Sequence, residues 1–257
     1  MPAPKNRLKS ALQDDRTLIG CWAGFADPYP TEVLATAGFD WLVIDGEHAP
    51  NDLRTIMAQL QVLEGTGAKP VVRLPMVEPW LIKQVLDIGA QTLLIPMVES
   101  AAQATDLVRA MRYPPAGIRG SGAALARASR FSGISDYIST ADNEMCLIVQ
   151  VETRAGLAAL DDILSVDGVD GVFVGPSDLA ADMGHQGDAA QEEVRTAIRD
   201  ALGRIRAAGK AAGIIAVDHA TACDYRDWGA NLLAVGIDVV FMARAAREAV
   251  ARWREND

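Results

Sequence analysis

The sequence predicts an α/β fold, a closed (β/α)8 TIM barrel, on three observations. Eight short apolar runs alternate strictly with helical patterns along the 257 residues, which indicates a parallel sheet. Eight such units in a chain of this length match one closed barrel. No glycine-rich dinucleotide fingerprint follows the first apolar run, which disfavours the alternative, an open doubly wound sheet. We expect residues 1–257 to form a single barrel domain.

The first half of the chain supplies four of the units. Its apolar runs hold mostly Leu, Ile and Val, the pattern of strands that are buried on both faces. After a short polar helix over residues 5–14, strands are predicted over Thr17–Trp22, Asp40–Ile44, Lys69–Leu74 and Gln91–Ile95. The helices that follow them are predicted over Thr31–Ala37, Asn51–Glu64 with Asn51 as the N-cap, Glu78–Ile88 and Ser100–Arg112.

A long irregular stretch, Tyr113–Asp136, precedes the second half, and loops of this length are usually functional or disordered. The remaining strands are predicted over Cys146–Val151, Val169–Val174, Ala211–Ala216 and Asn231–Val235. The remaining helices are predicted over Gly156–Leu164, Gln191–Ala208, His219–Trp228 and Val239–Arg254.

Composition narrows the classes of function. The net charge of -10 and the lack of a basic patch argue against a nucleic-acid partner. Three widely spaced cysteines without a Cys-x-x-Cys pair predict a reduced, intracellular protein, with Cys21 and Cys146 as small buried hydrophobes. With neither a signal-peptide core nor an apolar run of membrane-span length, we expect a cytoplasmic protein that does not bind membranes.

Two carboxylates stand where barrel enzymes place their active sites, at the C-terminal ends of the strands. Glu152 follows the fifth predicted strand and Asp178 follows the sixth. Lying side by side, they can share a divalent cation through oxygen ligands. The alternative is that each acid caps a helix or lies in its first turn, which requires no metal.

The lysines exclude one mechanism. None of the five lysines lies at a predicted strand C-terminus, and a Schiff-base aldolase needs a lysine amine in the barrel mouth. Carbonyl chemistry in this barrel therefore requires a metal ion as the electron sink. Oxygen ligands without a cysteine or histidine cluster favour Mg²⁺ or Mn²⁺ over Zn²⁺.

A histidine and an arginine lie on the same predicted rim. His48 is the natural general base, because its ordinary pKa lies near neutral pH, and Asp45 can orient its ring. The alternative is that Asp45 or Glu47 caps the next helix and His48 merely packs there. Arg73 can stabilise a developing enolate or alkoxide, or it can serve only as a charge partner for Asp45 or Glu47.

Other polar residues are weaker candidates. Backbone N–H groups in the segment Gly175–Asp178 can bind a substrate carboxylate. Asp87 is a minor candidate for the network around His48. We expect His185 and His219 to lie on a loop or at a helix start, outside catalysis.

Five motifs, taken together and in order, resemble the HpcH/HpaI aldolase family over nearly the whole chain. They are Ile44-Asp-Gly-Glu-His48, Val72-Arg-Leu-Pro75, Pro114-Pro-Ala-Gly-Ile-Arg-Gly120, Gln150-Val-Glu-Thr153 and Val174-Gly-Pro-Ser-Asp-Leu179.

The resemblance implies a role for each rim residue. A divalent metal, Mg²⁺, Mn²⁺ or Co²⁺, would be held by Glu152 and Asp178. His48 would be the base, assisted by Asp45. Arg73 would contact the keto oxygen, and the rest of the pyruvate site would comprise Gln150, Gly175, Ser177 and Asp178.

The resemblance also implies an activity. A class II pyruvate aldolase reversibly cleaves a 4-hydroxy-2-oxo acid to pyruvate and an aldehyde through a metal-bound pyruvate enolate. The barrel would be a hexamer that exchanges its last helix between subunits, and the segment Arg127–Arg130 would lie near the active-site rim. Two alternatives remain: an acyl-CoA lyase of the citramalyl or malyl type, for which no basic surface stands out, and a non-catalytic metal-binding barrel, which the base and arginine disfavour.

Overall fold

The computed structural model describes residues 1–14 and 16–254 and contains a closed barrel of eight parallel strands. Each strand pairs with the next along the chain, and the eighth pairs with the first. The predicted closed barrel is confirmed. Its strands are β1 Leu18–Ala23, β2 Trp41–Asp45, β3 Lys69–Arg73, β4 Thr92–Ile95, β5 Cys146–Val151, β6 Val169–Val174, β7 Ala211–Ile215 and β8 Leu232–Ile237.

Helices surround the barrel and connect its strands. They are α1 Arg7–Ala11, α2 Pro28–Ala35, α3 Leu53–Leu63, α4 Pro79–Asp87, α5 Ala101–Met111, α6 Tyr137–Thr140, α7 Arg154–Ala158, α8 Leu160–Leu164, α9 Pro176–Asp182, α10 Glu192–Ala207, α11 His219–Asp227 and α12 Asp238–Arg254. Within the described ranges, no helix combines the length and the apolar character needed to cross a membrane.

Three predicted helices differ in their details. Asp52, not Asn51, caps α3: its side chain accepts the backbone N–H groups of Arg54 and Thr55, and Asn51 is left to bond the main chain at Asp45. Helix α2 begins three residues before Thr31, because Asp27 caps it. The helix predicted over Gly156–Leu164 is divided into α7 and α8.

The strands are buried on both faces, as their apolar composition predicts. Side chains that point outward, such as Leu42 and Ile44, pack under the helices. Side chains that point inward fill the barrel, and Trp22, Trp41 and Phe173 are the largest of them. The ring of Trp22 lies 6.3 Å from that of Trp41 and 5.5 Å from that of Phe173, centroid to centroid. These rings make the barrel interior a packed core that supports the rim.

Helix α1 closes the N-terminal end of the barrel. Leu8 and Leu12 belong to the same buried cluster as the inward-pointing rings. Asn6 caps α1 and also donates from its amide to Thr92 and to the carbonyl of Glu144, at 3.0 Å each. Packed side chains thereby cover this end of the barrel, and the polar residues of the predicted rim lie at the opposite end.

Truncation of the residue that plugs this end should destabilise the fold. Leu8 is 1% exposed, so Leu8→Ala should lower the free energy of unfolding by about 2–5 kcal/mol through lost burial and a cavity. Urea denaturation measures the change. Arg7→Ala on the exposed side of α1 is the control, and we expect it to change the free energy of unfolding by about 0.5 kcal/mol or less. If both substitutions lowered the free energy of unfolding equally, the close packing of Leu8 at this end of the barrel would be contradicted.

Candidate active site

A buried ion pair joins the ends of β2 and β3. The register of the two strands places Asp45 directly beside Arg73. Arg73 donates from Nε to Asp45 Oδ1 at 2.9 Å and from Nη2 to Oδ2 at 2.7 Å, a bidentate pair. Both residues are buried, and the Arg73 guanidinium also lies 5.3 Å from the Trp22 ring centroid. Strand pairing, the carboxylate and the aromatic ring therefore fix the guanidinium in one orientation.

The turn that follows β2 adds a second carboxylate and the histidine. Asp45 Oδ1 accepts the backbone N–H groups of Glu47 at 3.0 Å and His48 at 3.3 Å, which shapes the turn. Gly46 has no side chain here because a Cβ would lie 2.6 Å from the carbonyl oxygen of Arg73. Glu47 Oε2 lies 2.9 Å from Arg73 Nη1 and 3.7 Å from His48 Nε2. The imidazole of His48 is otherwise open to solvent, with its side chain 68% exposed.

Glu152 is buried at the end of β5. Its Oε1 accepts the backbone N–H of Met97 at 2.9 Å, and its Oε2 accepts the amide N–H of Gln150. Burial raises the pKa of Glu152, and the charge of Asp178 raises it further, whereas the bonds from Gln150 and Met97 oppose the rise. The carboxylate is thus held in one position, and its raised pKa shows that its environment disfavours an uncompensated negative charge.

Two backbone features make room for Glu152. Met97 adopts a left-handed conformation with φ of 56°, which turns its N–H toward the carboxylate. Gly175 follows β6, and a Cβ there would overlap Glu152 Oε2 and come within 2.8 Å of Glu152 Cβ. Glycine is therefore required at 175 for Glu152 to occupy its site.

Helix α9 carries the remaining predicted residues. Ser177 and Asp178 lie in its first turn and are exposed. The alternative interpretation of Asp178, an acid in a first helical turn, describes its local geometry correctly. Its charge nevertheless acts on Glu152 across the neighbouring strand end, since it contributes to the raised pKa there.

Some predicted relations are wrong within this chain. Asp45 contacts the backbone N–H of His48 and not its ring. Asp87 lies away from His48 and accepts Nη2 of the buried Arg119 at 2.8 Å. Arg127 lines a cleft of about 420 Å³ beside the residues that precede β3 and β4, so this segment lies at the N-terminal end of its own barrel. His219 begins α11, as predicted.

Three residues contribute more to the site than the sequence predicts. Glu47 adjoins His48 in the sequence, and this proximity was the available signal. No sequence pattern marks Met97 or Trp22 as part of the site. The left-handed backbone of Met97 and the packing of the Trp22 ring under the Arg73 guanidinium both depend on neighbouring strands. The rim thus combines a fixed cation, four carboxylates and an accessible imidazole, a set suited to holding a 2-oxo acid and moving a proton.

A parallel barrel with such a rim is the arrangement of a (β/α)8 lyase, and the similarities agree. Residues 18–245 match the family model described as HpcH/HpaI aldolase/citrate lyase. A hydroxypyruvate/pyruvate aldolase of Roseovarius nubinhibens is 74% identical over the whole of both chains. A 4-hydroxy-2-oxo-heptane-1,7-dioate aldolase of Salmonella dublin is 53% identical, covering 97% of this chain and 95% of its own.

A solved structure agrees as well. An HpcH/HpaI aldolase/citrate lyase family protein from Burkholderia cenocepacia superposes with a TM-score of 0.94 at 42% identity, covering 97% of this chain and all of its own. This chain belongs to the HpcH/HpaI aldolase/citrate lyase family. The predicted family and the predicted class of enzyme, an aldolase and hence a carbon–carbon lyase, are confirmed.

A methyl group at position 175 should disturb the site. Because the added Cβ would overlap Glu152, we expect Gly175→Ala to lower the free energy of unfolding by about 1–3 kcal/mol through overpacking. The control is Gly203→Ala in α10, where a Cβ meets nothing within 4 Å. That change should raise the free energy of unfolding by about 0.5–1 kcal/mol, because alanine favours a helix. Urea denaturation of both variants measures the difference, and no loss for Gly175→Ala would refute the close approach.

Proposed function

We propose that this enzyme reversibly cleaves a 4-hydroxy-2-oxo acid to two products. One is an aldehyde, and the other is either pyruvate or hydroxypyruvate. The main support for this function is the position of Glu152. Its carboxylate is buried, accepts two hydrogen bonds, and lies on the same rim as the fixed Arg73 guanidinium. Support for pyruvate and hydroxypyruvate as the nucleophilic partner comes from the names of the relatives that share 50% or more of the sequence.

We propose Glu152 and Asp178 as the ligands of a divalent cation, Mg²⁺, Mn²⁺ or Co²⁺. The donor set fits such an ion, because both ligands are carboxylates and the charge of Asp178 raises the pKa of Glu152. Gln150 Oε1 is a buried oxygen that no described residue hydrogen-bonds. Within the described part of the chain, no group of three or more His, Cys, Asp or Glu side chains could hold a metal ion, so substrate and water oxygens would complete the coordination. The cation would act as a Lewis acid toward the 2-oxo acid.

The protein residues divide the remaining work. Asp45 and Glu47 do not use all the N–H groups of Arg73. Arg73 presents the remaining ones to the keto oxygen, where negative charge develops as the C3–C4 bond breaks. His48 removes the proton of the C4 hydroxyl. Gln150, Gly175, Ser177 and Asp178 form the pyruvate end of the site. Asp45 assists by fixing the turn that carries His48.

We also propose the hexameric assembly in which the last helix is exchanged between subunits. Among the seventeen residues of α12, Asp238 alone is buried. Its other side chains leave an apolar surface open, including Val240, Phe241, Met242, Val250 and Trp253, which are 44–80% exposed. Apolar surface of this extent on a helix is typical of a subunit interface.

A cytoplasmic location accords with the small-molecule substrates.

Removal of either proposed ligand should greatly slow the metal-dependent chemistry. We expect Glu152→Gln and Asp178→Asn each to slow the exchange of pyruvate C3 protons with D₂O by about 100-fold or more, because the enolate loses its stabilising cation. Proton NMR follows the exchange in metal-stripped protein given Mg²⁺, Mn²⁺ or Co²⁺, and titration calorimetry with Mn²⁺ measures binding directly.

The matched control is Asp218→Asn on the same rim, which keeps an N-cap on α11 and should leave exchange and Mn²⁺ affinity unchanged. Full exchange in the presence of a chelator would refute the metal. Absence of exchange with every metal would refute the pyruvate assignment and direct the search to CoA thioesters.

A charge on the open face of α12 should disrupt the assembly. Trp253 is 80% exposed in a single chain, so Trp253→Glu would be nearly neutral for an isolated barrel. If a neighbouring subunit covers this helix, the substitution should shift the mass measured by sedimentation velocity from the oligomer toward smaller species. Arg244→Gln on the same helix is the control. A monomeric wild-type protein would contradict the assembly.

A further inference from the structure

Helix α11 carries a histidine and a cysteine on one face. The helix follows β7, and His219 and Cys223 are its first and fifth residues. Residues four apart are neighbours on a helix surface, so the imidazole and the thiol lie side by side. His219 Nε2 lies 3.7 Å from Cys223 Sγ. Neither residue belongs to the proposed aldolase site.

The separation of these two atoms matches the one that a tetrahedral metal ion imposes on its ligands. Zinc binds a thiolate sulfur at about 2.3 Å and an imidazole nitrogen at about 2.0–2.1 Å. At the tetrahedral angle, a sulfur and a nitrogen on one zinc ion are therefore about 3.6 Å apart. Since the observed distance is 3.7 Å, both atoms can bind one ion with little movement of either side chain.

The ligands are accessible from solvent, and the charge around them favours a cation. His219 is exposed and Cys223 is half-buried. Residues 218–228 hold three aspartates and one arginine, and this net negative charge attracts cations. The aspartates are Asp218, Asp224 and Asp227, and each accepts a hydrogen bond from another residue within 3.0 Å. Water would therefore complete the coordination of an ion held by the histidine and the cysteine.

Sulfur and nitrogen donors select a different cation from the one proposed for the aldolase site. Thiolate and imidazole ligands favour Zn²⁺, whereas Mg²⁺ prefers oxygen ligands. Glu152 and Asp178 offer only carboxylate oxygens. The two sets of ligands would therefore bind different ions from the same solution.

We infer that His219 and Cys223 form a surface site for Zn²⁺ or a similar divalent cation. The imidazole binds through Nε2 and keeps its proton on Nδ1, and Cys223 binds as a thiolate. The thiol proton passes to solvent as the bond between Sγ and the metal forms, and no electron is transferred. Water molecules occupy the other coordination positions. This site is independent of the proposed function.

The other two cysteines cannot produce the same metal–thiolate signal. Cys21 and Cys146 are both 0% exposed. Burial raises the pKa of Cys21 to about 12 and raises that of Cys146 well above its ordinary value. Both thiols therefore stay protonated near neutral pH, and a thiolate bound to a metal ion reports Cys223.

Titration of the reduced protein with Co²⁺ tests the site, because a cobalt–thiolate bond gives a charge-transfer band in the near ultraviolet and oxygen ligands do not. We expect this band in the wild type and equally in Glu152→Gln. Added Zn²⁺ should abolish it, whereas excess Mg²⁺ should leave it unchanged. The affinity should rise with pH by up to about 10-fold per pH unit, because one thiol proton is released.

Substitutions of the two ligands separate the site from a thiol that binds metal alone. Cys223→Ser should lose the band, and His219→Gln should weaken the Co²⁺ affinity about 10-fold or more, since a ligand is removed. His185→Gln, at a histidine outside α11, is the control and should leave the affinity unchanged. Circular dichroism checks that each variant is folded.

Three results would overturn the inference. They are a wild-type protein without the band, an equal Co²⁺ affinity in His219→Gln, and an affinity that depends on protein concentration, which would mean an ion shared between two copies. Absence of pyruvate exchange with every metal would refute the proposed function instead and would leave this band in place, so the two failures are distinguishable.

Discussion

The rim depends on one buried guanidinium. Arg73 ends β3 with its side chain almost wholly removed from water, and an isolated buried charge would be very costly. Asp45 supplies two hydrogen bonds and Glu47 an ion pair on the third nitrogen. Two carboxylates for one guanidinium leave net negative charge beside Glu152, which suits the cation proposed for this rim.

Barrel packing keeps this charged cluster in place. Trp22 lies under the guanidinium and is itself packed between Trp41 and Phe173. Glycine appears where these rings need space: a Cβ at Gly20 or Gly213 would overlap the ring of Trp41 or Phe173. Since close-packed interiors do not deform gradually, the ends of β2 and β3 stay in fixed register, and Asp45 meets Arg73 in one bidentate geometry at the rim.

The predictability of the fold and of the site differed for physical reasons. Strands buried on both faces and amphipathic helices are local patterns, so all eight strands and their order followed from composition and spacing. Helix ends were less predictable, because Asn51 and Asp52 are both good caps and the choice depended on the bond between Asn51 and Asp45. The sequence left two roles open for Arg73: binding the substrate, or pairing with Asp45 or Glu47. In the structure Arg73 forms ion pairs with both of these carboxylates.

The sequence by itself determined the barrel, the family and the end of the barrel that carries the polar residues, because strand length, alternation and motif order are properties of the chain taken in sequence. Only the tertiary structure decided which groups meet. It assigned the Asp45 side chain to Arg73 and brought Glu47 to the ring of His48, and it put Arg127 at the opposite end from the rim. The contact of Asp45 with Arg73 joins residues on different strands, and its geometry is set by register and packing, which no local pattern encodes. The contact of Glu47 with His48 lies within one turn, and its geometry depends on the bonds by which Asp45 shapes that turn.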